Sequence, residues 1–258
     1  MALSPKMTTN KTEMTLIDHI EELRRRLLIS LIALGVGVAI SLFFGDRLVQ
    51  LLTLPIGGLQ KLQSIEITEN LGVYMRVSLV AGVILASPVI LYEVFLFLLP
   101  GLKPNEKRSV LWAMPLATLF FVGGVVFSFL VMLPAAIPFL VNFLGVQTLP
   151  RLSSYISFVT NLLFWVGVSF ELPLFIYVLA RFGLLTPKAL LGYWRQAIVV
   201  IAILAAVITP TVDPVNMSLM MAPLIVLYFI SILFAWIAQR GRQVEPDESE
   251  PPSETPEH

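Results

Sequence analysis

Six stretches of the chain, residues 27–44, 77–99, 110–133, 155–180, 197–209 and 215–238, are apolar and almost free of charge. A hydrocarbon core about 30 Å thick is crossed by about 20 helical residues, and five of these stretches meet or approach that length. No water is available in lipid to bond an exposed backbone, and apolar runs this long without alternation specify helices. The expected fold class is therefore an all-α integral membrane protein with six transmembrane helices. The fifth stretch, AIVVIAILAAVIT, is short. At about 1.5 Å per residue it reaches only about 20 Å, so it needs a thinned bilayer or support from its neighbours.

Only 13% of the 258 residues are charged and the net charge is zero, so the position of each charge matters more than the sum. Thirteen Lys and Arg residues fall in the N-terminal segment, the even-numbered connections and the C-terminal end, against Arg47, Lys61, Arg76 and Arg151 on the other side. The excess of positive charge marks the inner side, which predicts both termini in the cytoplasm and agrees with an even number of spans. The first apolar run follows three arginines and lacks a small-x-small cleavage site, so a retained helix and no cleavable signal are expected. There is no cysteine, and the histidines are His19 and His258. Disulfides, iron–sulfur ligation and histidine-rich metal sites are thereby excluded, and no cofactor and no nucleic-acid partner are expected.

Pro88, Pro115, Pro173 and Pro223 lie within apolar stretches, where each removes a backbone donor and predicts a bent helix, and bent helices give a concave bundle. The outer connection GDRLVQLLTLPIGGLQKLQ reads as a short interfacial helix followed by a turn at Pro55 and Gly57-Gly58. The acidic, proline-rich end EPDESEPPSETPEH cannot offset its ordering entropy. The division expected is a flexible N-terminus over 1–14, a membrane domain over 15–239 and a disordered acidic cytoplasmic tail over 240–258. No internal repeat of the kind found in two-fold transporters is visible.

Charges of both signs crowd the start of the first span, in TLIDHIEELRRRLLIS. On a helix opening at Thr15, with Asp18 as its capping-box partner, Leu16, Ile20, Leu23 and Leu27 share one face. Glu21 and Glu22 stand four residues before Arg25 and Arg26, which reads either as two surface ion pairs or as a carboxylate open to a guanidinium from outside. The connection LPGLKPNEKRSV again sets one acid, Glu106, among basic residues, with Phe97 and Pro100 just before it as packing residues or as the wall of a groove. Glu171, in GVSFELPLF, lies near the middle of the fourth span, where an ionised group costs at least a few kcal/mol without partners, so a functional role is its default reading. Glu93 is nearer the inner edge, where its side chain can reach the interface, and it carries little weight. Asp213, in TPTVDP, reads as the cap of the sixth helix.

Taken in order, HIEELRRRLL, ASPVILYEVFLFLLPGLKPNEKR, GVSFELPLFIYVLARFGLLTP and ITPTVDP resemble the TatC family, the polytopic subunit of the twin-arginine protein translocase. The resemblance runs from about Thr15 to Gln239. It implies a receptor for signal peptides bearing paired arginines, working with TatA- and TatB-like single-span proteins in a multimeric complex that exports folded proteins across the cytoplasmic membrane of a prokaryote. By motif, the family's signal-recognition glutamates match Glu22 and Glu106, with Arg24, Leu27 and Phe97 beside them, and its outer-loop proline matches Pro55. The intramembrane glutamate matches Glu171, and the aspartate of the last outer turn matches Asp213, although TPTVDP is one residue longer than the common TPPD form. The family's contact with its small partners through the fifth and sixth helices implies a docking edge near Thr209 and Asn216. Arginine offers a planar, permanently charged fork of donors, so two rim carboxylates suit two guanidiniums. The alternative class is an ion-coupled small-solute transporter using Glu171 as a relay, against which stand the missing repeats and the lack of a second mid-membrane acid. An intramembrane hydrolase lacks any HExxH, GxSxG or paired-aspartate motif.

Overall fold

The computed structural model of the protein describes residues 16–98, 104–142, 149–209 and 214–243. Helix α1 (Leu16–Phe43) runs unbroken from the charged segment into the apolar one, since neither Gly nor Pro occurs between Leu16 and Gly35. After Phe44 the chain forms α2 (Gly45–Thr53) and two single 3₁₀ turns, Leu54–Ile56 and Leu59–Lys61. Gly57 and Gly58 separate these turns at φ of 98° and 97°, a backbone that favours glycine, and the expected short helix and turn are both present. Helix α3 (Glu69–Leu98) opens eight residues before the apolar stretch. Helix α4 (Pro104–Phe127) starts on a proline, whose missing N–H costs nothing there, and continues through a π turn, Ser128–Met132, into α5 (Leu133–Val141).

The fourth apolar stretch is two helices, α6 (Leu152–Phe170) and α7 (Leu172–Arg181), which meet at Glu171. Pro173 sits in the first turn of α7, where it has no donor to continue the α6 ladder. A short α8 (Pro187–Gly192), capped by the Thr186 hydroxyl accepting from the Ala189 amide at 3.1 Å, leads into α9 (Trp194–Ile208). Helix α10 (Pro214–Gln243) ends the described chain. It runs through Gly241 to Gln243, into the segment expected to belong to the tail. Among the described residues there is no strand, only an isolated parallel bridge between Gln63 and Arg151.

Among the described residues, five helical stretches are long and apolar enough to cross a membrane: Asp18–Phe43, Glu69–Phe97, Ala113–Val141, Leu152–Arg181 and Pro214–Arg240. The sixth apolar helix, Trp194–Ile208, has 15 residues. At about 22 Å it is as short as its sequence predicts. The core forms around α6, whose Ile156, Val159 and Val166 are buried and whose chief neighbours are α4 and α3. Helices α7 and α10 approach through Ala180, Ala235 and Ala238, small residues of the kind that let membrane helices pack closely.

Helix α1 stands apart from that core and packs chiefly on α3. The two cross where Gly37 faces Gly82: a Cβ on Gly37 would lie 2.5 Å from the Gly82 carbonyl oxygen, and a Cβ on Gly82 would lie 2.7 Å from the backbone of Val38. Beyond the crossing, the Tyr74 hydroxyl of α3 donates to the Leu42 carbonyl of α1. Gly35, by contrast, has nothing within 4 Å of a built Cβ. Gly82→Ala is therefore expected to destabilise the protein by about 1–3 kcal/mol through overpacking, while Gly35→Ala changes it by about 0.5 kcal/mol or less. Thermal unfolding of the two variants in detergent, followed by size-exclusion chromatography, checks the contrast.

Candidate functional site

The first turns of α1 lie beside the last turns of α3, and the charges of the two helices meet there. Arg26 donates from Nε (3.0 Å) and Nη2 to a single oxygen of Glu22, Oε1, and from Nη1 to Oε2 of Glu93 at 3.0 Å. Glu22 and Arg26 form the ion pair that their spacing predicts, whereas Glu21 and Arg25 form none. The second oxygen of Glu22, Oε2, is buried and has no hydrogen-bond partner. One turn earlier, the His19 ring stacks on Phe97 of α3, with centroids 4.4 Å apart and planes 22° apart. An open cavity of about 800 Å³ lies over these groups, lined by Glu21, Glu22, Arg24, Arg25, Arg26 and Glu93 among others.

Of the residues singled out in the sequence, Glu22, Arg24 and Phe97 come together at this rim. Leu27 is on the adjoining outward face, 59% exposed, in a shallow apolar groove with Ile20, Leu23, Arg24, Leu28 and Leu31. The backbone of Glu106 belongs to the first turn of α4, and its side chain lies outside the described residues, as do Pro100 and Asp213. Pro55 is not part of the rim. It follows α2, with the part of α1 from Leu23 to Phe43, about 30 Å of helix, between it and Glu22. Glu171 stands at the α6/α7 junction with both carboxylate oxygens buried. Thr209 and Asn216 are buried, the Thr209 hydroxyl donating to the Ala205 carbonyl at 2.8 Å. The side chains of these two residues are therefore enclosed by the chain itself. Val207, at 73% exposure, is the outward residue of that end of α9.

Glu93 was underweighted in the sequence: it is buried and ion-paired rather than extended to the interface. Its spacing of four from Phe97 places both on the α3 face that meets α1, which is the signal that finds it. A second cluster, at the opposite end of the bundle, also escapes sequence reading. Glu69 accepts from the backbone amides of Ile65 (2.9 Å), Glu66 (3.3 Å) and Ser153 (2.8 Å), and from Arg151 Nε (3.1 Å). Arg151 also pairs with Glu66 at 2.7 Å, and the two acids hold its guanidinium above the usual arginine range, Glu66 foremost. Arg76 donates to Thr160 and Asn161, both at 2.9 Å, joining α3 to α6. Glu69 is enclosed and Glu66 is exposed, so Glu69→Ala is expected to lower the melting temperature by several degrees and Glu66→Ala by much less. Parallel melts of the two variants check the ranking.

Long apolar helices around a buried core, with carboxylates and guanidiniums gathered at one rim, define a polytopic membrane protein. The TatC family model, Sec-independent protein translocase protein, matches residues 18–223. The TatC protein of Carboxydothermus hydrogenoformans is 38% identical over 225 residues, 86% of this chain and 93% of that protein. That of Aquifex aeolicus is 37% identical over 239 residues, 89% of this chain and 98% of that protein. A crystal structure of the twin arginine translocase receptor TatC superposes with a TM-score of 0.76 at 35% identity, covering 86% of this chain and all of that one. The chain belongs to the TatC family. It is a protein-translocase component and not an enzyme.

Proposed function

We propose that the protein is the signal-peptide receptor of a twin-arginine translocation system, capturing paired arginines at the α1/α3 rim. Glu22 and Glu106 each accept one guanidinium, with Arg24, Leu27 and Phe97 lining the approach. The observation that carries this reading is the buried, unpartnered Oε2 of Glu22 at the floor of an open charged cavity. A buried carboxylate oxygen without a donor costs free energy that an arriving guanidinium recovers. Glu22→Ala and Glu106→Ala are each expected to weaken binding of a twin-arginine peptide about 10- to 100-fold, the size of a charged hydrogen bond. Glu22→Lys is worse than Glu22→Ala, because repulsion is added to the lost contact. Titration of labelled peptide against the purified full chain measures this, and monodisperse variants with unchanged binding would sink the assignment.

The finer topology belongs to the same reading. The protein has six spans with α9 as the fifth, both termini are cytoplasmic, and the membrane is the cytoplasmic membrane of a prokaryote. The distribution of Lys and Arg supports it. Pro55 then lies on the outer side, and Glu171 faces protein within the membrane. TatA- and TatB-like single-span helices dock on α9, whose Val199, Val200, Ile203 and Val207 form an exposed apolar face on a helix too short to cover the hydrocarbon alone. Photo-crosslinkers at Ile203 and Val207 are expected to capture such a partner, and those at Ile32 and Val36 of α1 are not. Crosslinks confined to α1 would move the docking site there.

A further inference from the structure

Resting on the receptor reading, we infer that Glu93 is a positioning residue that keeps one oxygen of Glu22 open by holding Arg26 aside. An arginine and a carboxylate left to themselves pair fork to fork, two parallel N–H donors on two oxygens. Here the fork is skewed: Nε and Nη2 of Arg26 both fall on Oε1 of Glu22, while Nη1 is drawn to Oε2 of Glu93. The unused acceptor is Oε2 of Glu22, buried and without a partner. Three side chains thus hold two negative charges and one positive charge, all largely shielded, with side-chain exposures of 18% for Glu22, 19% for Arg26 and 10% for Glu93.

That arrangement is one guanidinium short of charge balance, and the missing one is what the proposed ligand brings. A twin-arginine peptide donates to the unpaired Oε2, and Arg26 keeps Oε1. If nothing drew Nη1 away, Arg26 would turn into the two-oxygen fork with Glu22 and close the site with the protein's own arginine. Glu93 touches no ligand in this scheme. It acts through Arg26, so its influence exists only while Arg26 is present.

The test is a double-mutant cycle on the full chain in detergent, read as the affinity ratio between a twin-arginine peptide and its twin-lysine counterpart. Glu93→Leu, which gives Arg26 no acceptor, is expected to lower affinity for the arginine peptide at least tenfold and to compress the ratio. Glu93→Gln keeps a carbonyl acceptor for Nη1 and restores most of both. In an Arg26→Gln background Glu93→Leu changes neither, because the residue through which it acts is gone. An unchanged ratio in Glu93→Leu, or an equal loss with and without Arg26, overturns the inference. A monodisperse Glu93→Gln protein that loses as much as Glu93→Leu also overturns it. A wild-type protein that does not separate the two peptides overturns the receptor reading and this inference with it.

Discussion

The rest of the rim depends on the backbone contact between Gly37 of α1 and Gly82 of α3. Only 11% of the apolar stretch of α1 is buried, the smallest share of the five long spans, and its packing is concentrated on α3. Lipid tails are as apolar as leucine, and a helix with this little burial gains little from the hydrophobic effect between helices. Close backbone approach supplies dispersion contact instead, and the absence of two Cβ atoms permits it. The crossing fixes the register of the antiparallel pair, which brings Arg26 between Glu22 and Glu93 and His19 onto Phe97. A slide of one helical turn, about 5.4 Å, would undo both contacts.

The two ends of this helix pair treat buried charge in opposite ways. At the end beyond Tyr74, Glu69 is saturated by three backbone amides and a guanidinium, and the strand-like contact of Gln63 with Arg151 pins the connection over the bundle. Such a carboxylate is spent on structure. At the rim, Glu22 keeps an oxygen without a donor although that oxygen is buried. Native proteins satisfy nearly all their buried polar atoms, so an exception in a cavity open to ligand is where binding free energy is held in reserve.

The helical class, the short α9, the short α2 with its turn and the Glu22–Arg26 pair were all legible because each follows from a local rule: apolar length, a turn signal or an i,i+4 spacing. What was illegible depends on which helices become neighbours. Glu93 looked like an acid reaching out to water until α3 set Arg26 of α1 beside it. Thr209 and Asn216 looked open because a short apolar run implies a polar end, but α9 and α10 bury that end against their own core. Glu69 and Arg151 are 82 positions apart in sequence, and no periodic pattern joins them.

The rim also places charge recognition beside apolar recognition on one helix. Ile20, Leu23, Leu27 and Leu31 recur at helical spacing down the outward face of α1, and Arg24 borders both their groove and the charged cavity. A ligand with arginines followed by an apolar run can set its guanidiniums in the cavity and lay the run along that stripe. The charges then stay at the rim, where water and carboxylates solvate them, and the apolar part moves directly from one apolar contact to the next. Neither half has to cross the environment that suits the other. A basic segment without an apolar continuation engages only the cavity, where exposed Arg24 and Arg25 oppose it, and an apolar helix without arginines leaves the Oε2 of Glu22 unsatisfied. Selectivity for the combination follows from the adjacency of the two surfaces on α1.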